Sequence, residues 1–252
     1  MKILYVFPHP DDESFGPARA IAAQVRAGHE VFLLTLTRGG ATKARFDLGY
    51  SIERMGQVRY EEMKQVAKVL GLSDLTVLDL PDSGLKELNP TAIESVVATH
   101  IECIHPDVVV TYPVHGISGF HDHLVAHAVV KRVFAEMKAV GADYPKRLAF
   151  VTLTEEQAKR ASGEHRLFAS TNGEIDCIVT VTDEDMERFR TALDCYQTYK
   201  KMIERTGVRK TLDRDVAYEF FQEDCTPTAK DLCQGLRRYG QAKAHGSTAN
   251  AG

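Results

Sequence analysis

The chain has 252 residues, 44% of them hydrophobic and 26% charged, which is ordinary for a globular protein and long enough for one large α/β domain. A formal net charge of -4 argues against a dedicated nucleic-acid surface, and no apolar stretch reaches the roughly 20 residues that a membrane-spanning helix needs. The N-terminal apolar run is too short for a signal peptide, and the five cysteines (Cys103, Cys177, Cys195, Cys225, Cys233) contain no C-x-x-C pair. They read as reduced thiols, and the expected location is cytoplasmic.

In chain order, Ile3 to Phe7 is apolar, bounded by Pro8, and predicts a buried first strand. The turn His9-Pro10-Asp11-Asp12-Glu13 follows, and then a helix over 16–28 closed by Gly28. Val31 to Leu36 predicts a second strand, and 38–56 a long loop rich in Gly, Arg and Lys, of the kind that binds or moves. A helix over 59–70 is capped by Gly71, and Leu75 to Leu80 predicts the third strand, ending in the turn Pro81-Asp82-Ser83-Gly84. Helix 90–105 leads to a fourth strand over 107–112, and the loop 113–120 to His121-Asp122-His123 and a helix reaching about Val140. Further strands are predicted at 148–153 and 178–181, and a long helix over 183–205. The stretches 154–177 and beyond 205 carry no chemical signal. From residue 240 the chain is small and polar and is expected to be disordered, leaving residues 1–240 as a single domain.

Alternation of strand and helix up to about residue 150 predicts a doubly wound, mainly parallel sheet of Rossmann-like type, with helices on both faces. Ligands of such sheets bind outside the carboxyl ends of the strands. The acidic turn follows strand one and the histidine cluster follows strand four, so both fall at that edge. So many carboxylates and an imidazole within five residues repel one another unless a cation sits among them. His9, Asp12 and His123 together make a two-imidazole, one-carboxylate set of the catalytic zinc type, with a position left for water, whose pKa zinc lowers to about 7. Asp11, beside a ligand, is a candidate general base. Each cluster alone has a plainer reading: an Asp pair is also a magnesium site or a helix cap, and His-x-His can be a surface pair.

His9-Pro10-Asp11-Asp12-Glu13 resembles the signature of the LmbE-like (PIG-L) superfamily of metal-dependent N-acetylglucosaminyl deacetylases. Thr35-x-Thr37-Arg38-Gly39, Arg59-x-x-Glu62, Leu70-Gly71 and Pro81-Asp82-Ser83-Gly84 also fall where that family has similar residues, so the likeness runs from residue 2 to about 200. The resemblance implies a Rossmann-like fold, His9, Asp12 and His123 as ligands of Zn2+ (with Fe2+ the alternative), and Asp11 as base. It implies a small-molecule N-acetylated sugar as substrate, and allows a homo-oligomer. The family's second motif, Gly-His-Pro-Asp-His, is here Gly119-Phe120-His121-Asp122-His123. Asp122, an expected member of the catalytic group, and His123 match. The family histidine that steadies the oxyanion or protonates the amine aligns with Phe120, and His121 stands one residue along, as a substitute or merely packed beside the site. The usual Gly-Glu after the second strand is Gly39-Gly40. Arg38, Arg59 and Asp82 are the expected substrate contacts. His127, one turn beyond His123, is expected to pack or to orient that ligand.

The expected reaction is hydrolysis of an acetamide. Three alternatives stay open: a magnesium-dependent phosphoryl-transfer enzyme using the Asp pair, a nucleotide-binding module, which the lack of a Gly-x-Gly-x-x-Gly after strand one disfavours, and a degenerate family member that binds metal and sugar without efficient turnover.

Overall fold

The computed structural model describes residues 1–161 and 166–237. In order, the elements are β1 (Lys2–Phe7), α1 (Asp12–Phe15), α2 (Ala18–Arg26), β2 (Glu30–Thr37), α3 (Ala44–Leu48), α4 (Ile52–Leu70), β3 (Asp74–Leu80), a 3-10 turn (Leu85–Glu87), α5 (Pro90–Ile104), β4 (Val108–Thr111) and α6 (His121–Ala139). β5 (Arg147–Thr152), α7 (Glu155–Arg160), β6 (Cys177–Thr180), α8 (Asp183–Cys195), a second 3-10 turn (Gln197–Tyr199), α9 (Lys200–Thr206), α10 (Val208–Thr211) and β7 (Asp215–Phe220) complete it. The polar tail expected from residue 240 lies outside the described residues.

The seven strands form one sheet in the order β3-β2-β1-β4-β5-β7-β6. The pairs from β3 to β5 are parallel, while β7 runs antiparallel to both β5 and β6. The expected doubly wound, mainly parallel sheet is therefore present. Strand periodicity sorts β1 between two cores: Ile3, Tyr5 and Phe7 join one apolar cluster, and Leu4 and Val6 the other. The first cluster is closed by α2, α4 and α8 through residues such as Ile21, Met63 and Phe189, and the second by α5 and α6 through Val97, Ile101, Val130 and Val133. With both faces covered, the inner strands read as continuous apolar runs. No helix among the described residues is long and apolar enough to cross a membrane.

Three expectations are corrected. The segment expected as loop 38–56 contains α3, and α4 begins at Ile52, with Ser51 as its cap accepting from the Arg54 N–H (3.1 Å). The helix expected over 183–205 ends at Cys195, because Tyr196 leaves helical geometry (φ -86°, ψ 74°). The segment beyond 205 supplies β7, whose Val216, Ala217, Tyr218 and Phe220 are buried between β5 and β6.

Candidate metal centre

β1 delivers the acidic turn and α6 the histidines, at the carboxyl ends of neighbouring parallel strands. His9 Nδ1 lies 3.6 Å from Asp12 Oδ2, and His123 Nε2 lies 3.3 Å from Asp12 Oδ1. One donor atom from each of the three falls within 4.8 Å of the others. The sequence spacing thus becomes a single cluster, with Asp12 and His123 buried.

Tyr112, the residue after β4, braces two of these side chains at once. Its hydroxyl donates to Asp12 Oδ1 (2.7 Å), and its ring stacks on that of His123 at 4.1 Å and 8°. His123 Nδ1 lies 2.9 Å from the Gly116 carbonyl oxygen. A carbonyl only accepts, so Nδ1 carries the hydrogen and the neutral ring has a bare Nε2. That lone pair faces a carboxylate oxygen. Two acceptors at 3.3 Å repel unless a positive charge lies between them, so the donor set suits a divalent cation.

The surroundings of His9 point the same way. Its Nε2 lies 3.2 Å from Asp122 Oδ2 and 3.3 Å from Asp82 Oδ1. Burial works against a charge on His9, but Asp12, Asp122 and Asp82 overrule it and push its pKa up to about 10. Burial likewise opposes ionisation of Asp12, yet positive charge at His123 and His9, whether a proton or a cation, holds that carboxyl well below the usual range. The two carboxylates beyond His9 also fasten loops. Asp122 accepts from the Ser83 and Leu85 N–H groups (2.8 and 3.2 Å), and Asp82 from the Ala41 N–H (2.7 Å). The turns after β2 and β3 are thereby tied to the cluster.

Asp11 has φ 94°, a left-handed conformation that a non-glycine residue adopts at a cost of about 1–3 kcal/mol. Its N–H donates to the Tyr196 hydroxyl (2.9 Å), which donates in turn to Glu13 Oε1 (2.7 Å). Its Oδ2 is held by Arg59 Nη2 at 2.9 Å. Burial pushes the Asp11 carboxyl up to about 8, with Arg59 acting in the opposite sense.

Arg59, expected at the substrate, is placed differently. It is 1% exposed, donates to the Gly39 carbonyl (2.8 Å), the Pro10 carbonyl and Asp11, and lies 4.2 Å from the centre of the Tyr199 ring. It stands behind Asp11 and has no free face. Gly39 makes room for it: with φ +63°, a Cβ there would fall 2.1 Å from Arg59 Nη1. The departure from the family's Gly-Glu, at Gly40, also has a packing reason, since a Cβ there would meet the Ile52 carbonyl oxygen at 2.3 Å.

His121 is exposed at the start of α6 and has no hydrogen bond or ion pair to the cluster among the described residues. Phe120 is 44% exposed and stands edge-on to His123 at 5.5 Å. His127 packs: its Nδ1 donates to the Tyr112 carbonyl (2.9 Å) and its ring lies 4.9 Å from Phe150. Arg38 keeps a partly exposed side chain 5.3 Å above the Tyr60 ring and 3.7 Å from Asp79. Sequence reading missed Tyr112, Tyr196 and Tyr199. The only signal was that each is an aromatic with a polar tip close to a strand or helix end.

The profile of the PIG-L family, described as GlcNAc-PI de-N-acetylase, matches residues 4–134, a stretch that holds His9, Asp12 and His123. The chain belongs to this family. It is 29% identical over 157 residues to the N-acetylglucosaminyl-phosphatidylinositol de-N-acetylase of Bos taurus, covering 60% of this chain and 56% of that relative, so it spans little more than half the bovine protein. Among solved structures, a deacetylase of teicoplanin biosynthesis superposes with a TM-score of 0.69 at 12% identity, over 87% of this chain and 97% of the other. The 4-carboxy-2-hydroxymuconate hydratase of Pseudomonas putida KT2440 does so with 0.66 at 13% identity, over 88% and 96%. These likenesses establish the fold, and a fold shared with a hydratase does not choose the reaction.

Proposed function

We propose that this PIG-L protein hydrolyses the acetamide of an N-acetylated amino sugar carried on a larger conjugate. One observation carries the reading: the bare Nε2 of His123 is aimed at Asp12, beside His9, with Asp11 next in the chain. His9, Asp12 and His123 would hold the cation, zinc with ferrous iron as the alternative. Bound there, it would supply Lewis-acid polarisation of a carbonyl and lower the pKa of a water toward neutrality.

The chain's own groups handle the proton. Arg59 occupies Asp11 Oδ2, so Oδ1 is the oxygen that receives the proton of the attacking water. Arg59 and the Tyr196 hydroxyl fix the carboxylate and its backbone, so that little reorganisation accompanies the transfer. As the C–N bond breaks, the same carboxyl returns the proton to the departing amine, giving acetate and a free amino sugar. Asp122 acts through His9, which it touches, and His121 is the second candidate donor to the amine. Asp82, beside His9, and Arg38, at the mouth, are the proposed substrate contacts.

The test is acetate release by zinc-loaded protein from N-acetylglucosaminyl conjugates, the phosphatidylinositol conjugate among them. Release matched by free amine, abolished by a chelator and restored by zinc, is the expected result. Zinc-loaded protein that releases no acetate from any of them contradicts it. Phe120, at the place of the family's histidine, favours one second reading, a member that binds metal and sugar with little turnover. Tight sugar binding without acetate would select it.

A further inference from the structure

No residue between Asp183 and Thr206 is a helix breaker, for the stretch holds neither Gly nor Pro. Yet α8 ends at Cys195, and α9 begins only at Lys200, after Tyr196 and the 3-10 turn Gln197–Tyr199. A break with no local cause needs a partner from elsewhere in the fold.

That partner is Glu62 of α4. Its Oε1 accepts from the Thr198 N–H (2.8 Å) and its Oε2 from the Thr198 hydroxyl (2.6 Å). In an uninterrupted helix the Thr198 N–H would donate to the Asp194 carbonyl, four residues back. Here that carbonyl accepts from the Gln197 side-chain amide instead (2.7 Å). Both halves of the missing helical bond are thus satisfied outside the ladder. Glu62 is 7% exposed, and burial pushes its carboxyl up while the two bonds from Thr198 act in the opposite sense. A carboxyl so placed is retained because it is hydrogen-bonded.

Glu62 also closes the motif Arg59-x-x-Glu62. The two side chains stand one helical turn apart on α4 and serve the same residue by different routes. Arg59 holds Asp11 Oδ2 directly (2.9 Å). Glu62 holds the turn from which the Tyr196 hydroxyl takes the Asp11 N–H (2.9 Å) and the Tyr199 ring lies 4.2 Å from the Arg59 guanidinium. The far end of that turn is pinned as well, by the Tyr199 hydroxyl donating to Thr42 Oγ1 (2.8 Å). Were α8 to run on through Tyr196, neither tyrosine could keep its place.

We propose that Glu62 is a positioning residue: by taking the Thr198 N–H and hydroxyl it ends α8, and so sets the two tyrosines that hold Asp11 and Arg59 for proton transfer. The inference rests on the reading of Asp11 as the base.

The test pairs kinetics of the zinc-loaded full chain on an N-acetylglucosaminyl conjugate with amide hydrogen exchange, which needs no substrate. Glu62→Ala should keep its zinc and lower kcat, per folded molecule, by about 10²-fold with KM close to the parent's. Glu62→Gln, whose carbonyl oxygen accepts the Thr198 N–H and whose amide donates to the hydroxyl, should recover most of the rate. Thr198→Val, which removes the hydroxyl alone, should lose less than Glu62→Ala. The Asp11 and Thr198 amides should exchange about tenfold faster in Glu62→Ala, the change that follows from one lost hydrogen bond to a carboxylate. Parent kcat in Glu62→Ala, a Gln variant as slow as the Ala variant, or unchanged exchange at Asp11 would overturn the inference. A parent that releases no acetate would instead defeat the deacetylase reading, and exchange at Asp11 would still decide whether Glu62 sets that residue.

Discussion

With its Nδ1 hydrogen tied to the Gly116 carbonyl, His123 faces Asp12 with a bare nitrogen, and that single hydrogen bond makes the cluster a receptor for a cation. Tyr112 then fixes the partner carboxylate. Tyr112→Phe keeps the ring stacked on His123 but removes the bond to Asp12, so zinc affinity should fall about 10- to 100-fold in a chelator competition. An unchanged affinity would deny the brace. Asp11 has a separate task. Asp11→Asn should keep its catalytic zinc and lower the rate of acetate release by about 10²–10⁴-fold. Turnover at the parent rate would remove Asp11 from the chemistry.

At the scale of elements, the break after α8 is as much a part of the site as the acidic turn. Tyr196 leaves the helix, and its hydroxyl takes the Asp11 N–H, while Tyr199 in the following turn covers Arg59. None of this was legible in the sequence, since residues 183–205 read as one helix and nothing local says where a buried hydroxyl will find its partner. Gly40 tells a similar story. It stands where the family has Glu, and the contact that excludes a side chain there comes from Ile52, at the start of α4. Gly40→Ala should therefore destabilise by about 1–3 kcal/mol, read as a fall in denaturation midpoint, and an unchanged midpoint would show that the loop can yield. Helices α2 and α8 are joined by Arg26, which donates to both oxygens of Asp185 (3.0 and 2.8 Å). Burial opposes charge on Asp185, but Arg26 and Thr182 win and hold its carboxyl below the usual range. Such a group adds stability above its unfolded pKa of about 3.9, and that stability is lost as pH falls through the lower folded value. Asp185→Asn should thus cost about 2 kcal/mol at pH 7, with the gap to the parent narrowing below about pH 4. A gap independent of pH would mean that the charge contributes nothing.

Across the whole molecule, the half that was legible is the half built from parallel strands. β1, β2, β4 and β5 are largely apolar runs that announce themselves, and the rule that ligands meet the carboxyl ends of such strands assigns His9 and His123 to one edge from the sequence alone. β7 was not seen, because a strand of Asp215–Phe220 inserted between β5 and β6 gains its identity from its neighbours and not from its own six residues. Arg59 was read one layer too far out for a related reason: a guanidinium in the middle of a helix looks exposed until Gly39, Pro10 and Tyr199 are packed around it. What the whole fold achieves is to bring two distant chain segments into one cluster of donor atoms beside a carboxylate. The most direct test is acetate release from an N-acetylglucosaminyl conjugate by zinc-loaded parent and zinc-loaded His123→Ala protein. The account predicts release by the parent and its loss, together with one equivalent of zinc, in His123→Ala. Equal release by both proteins would contradict it.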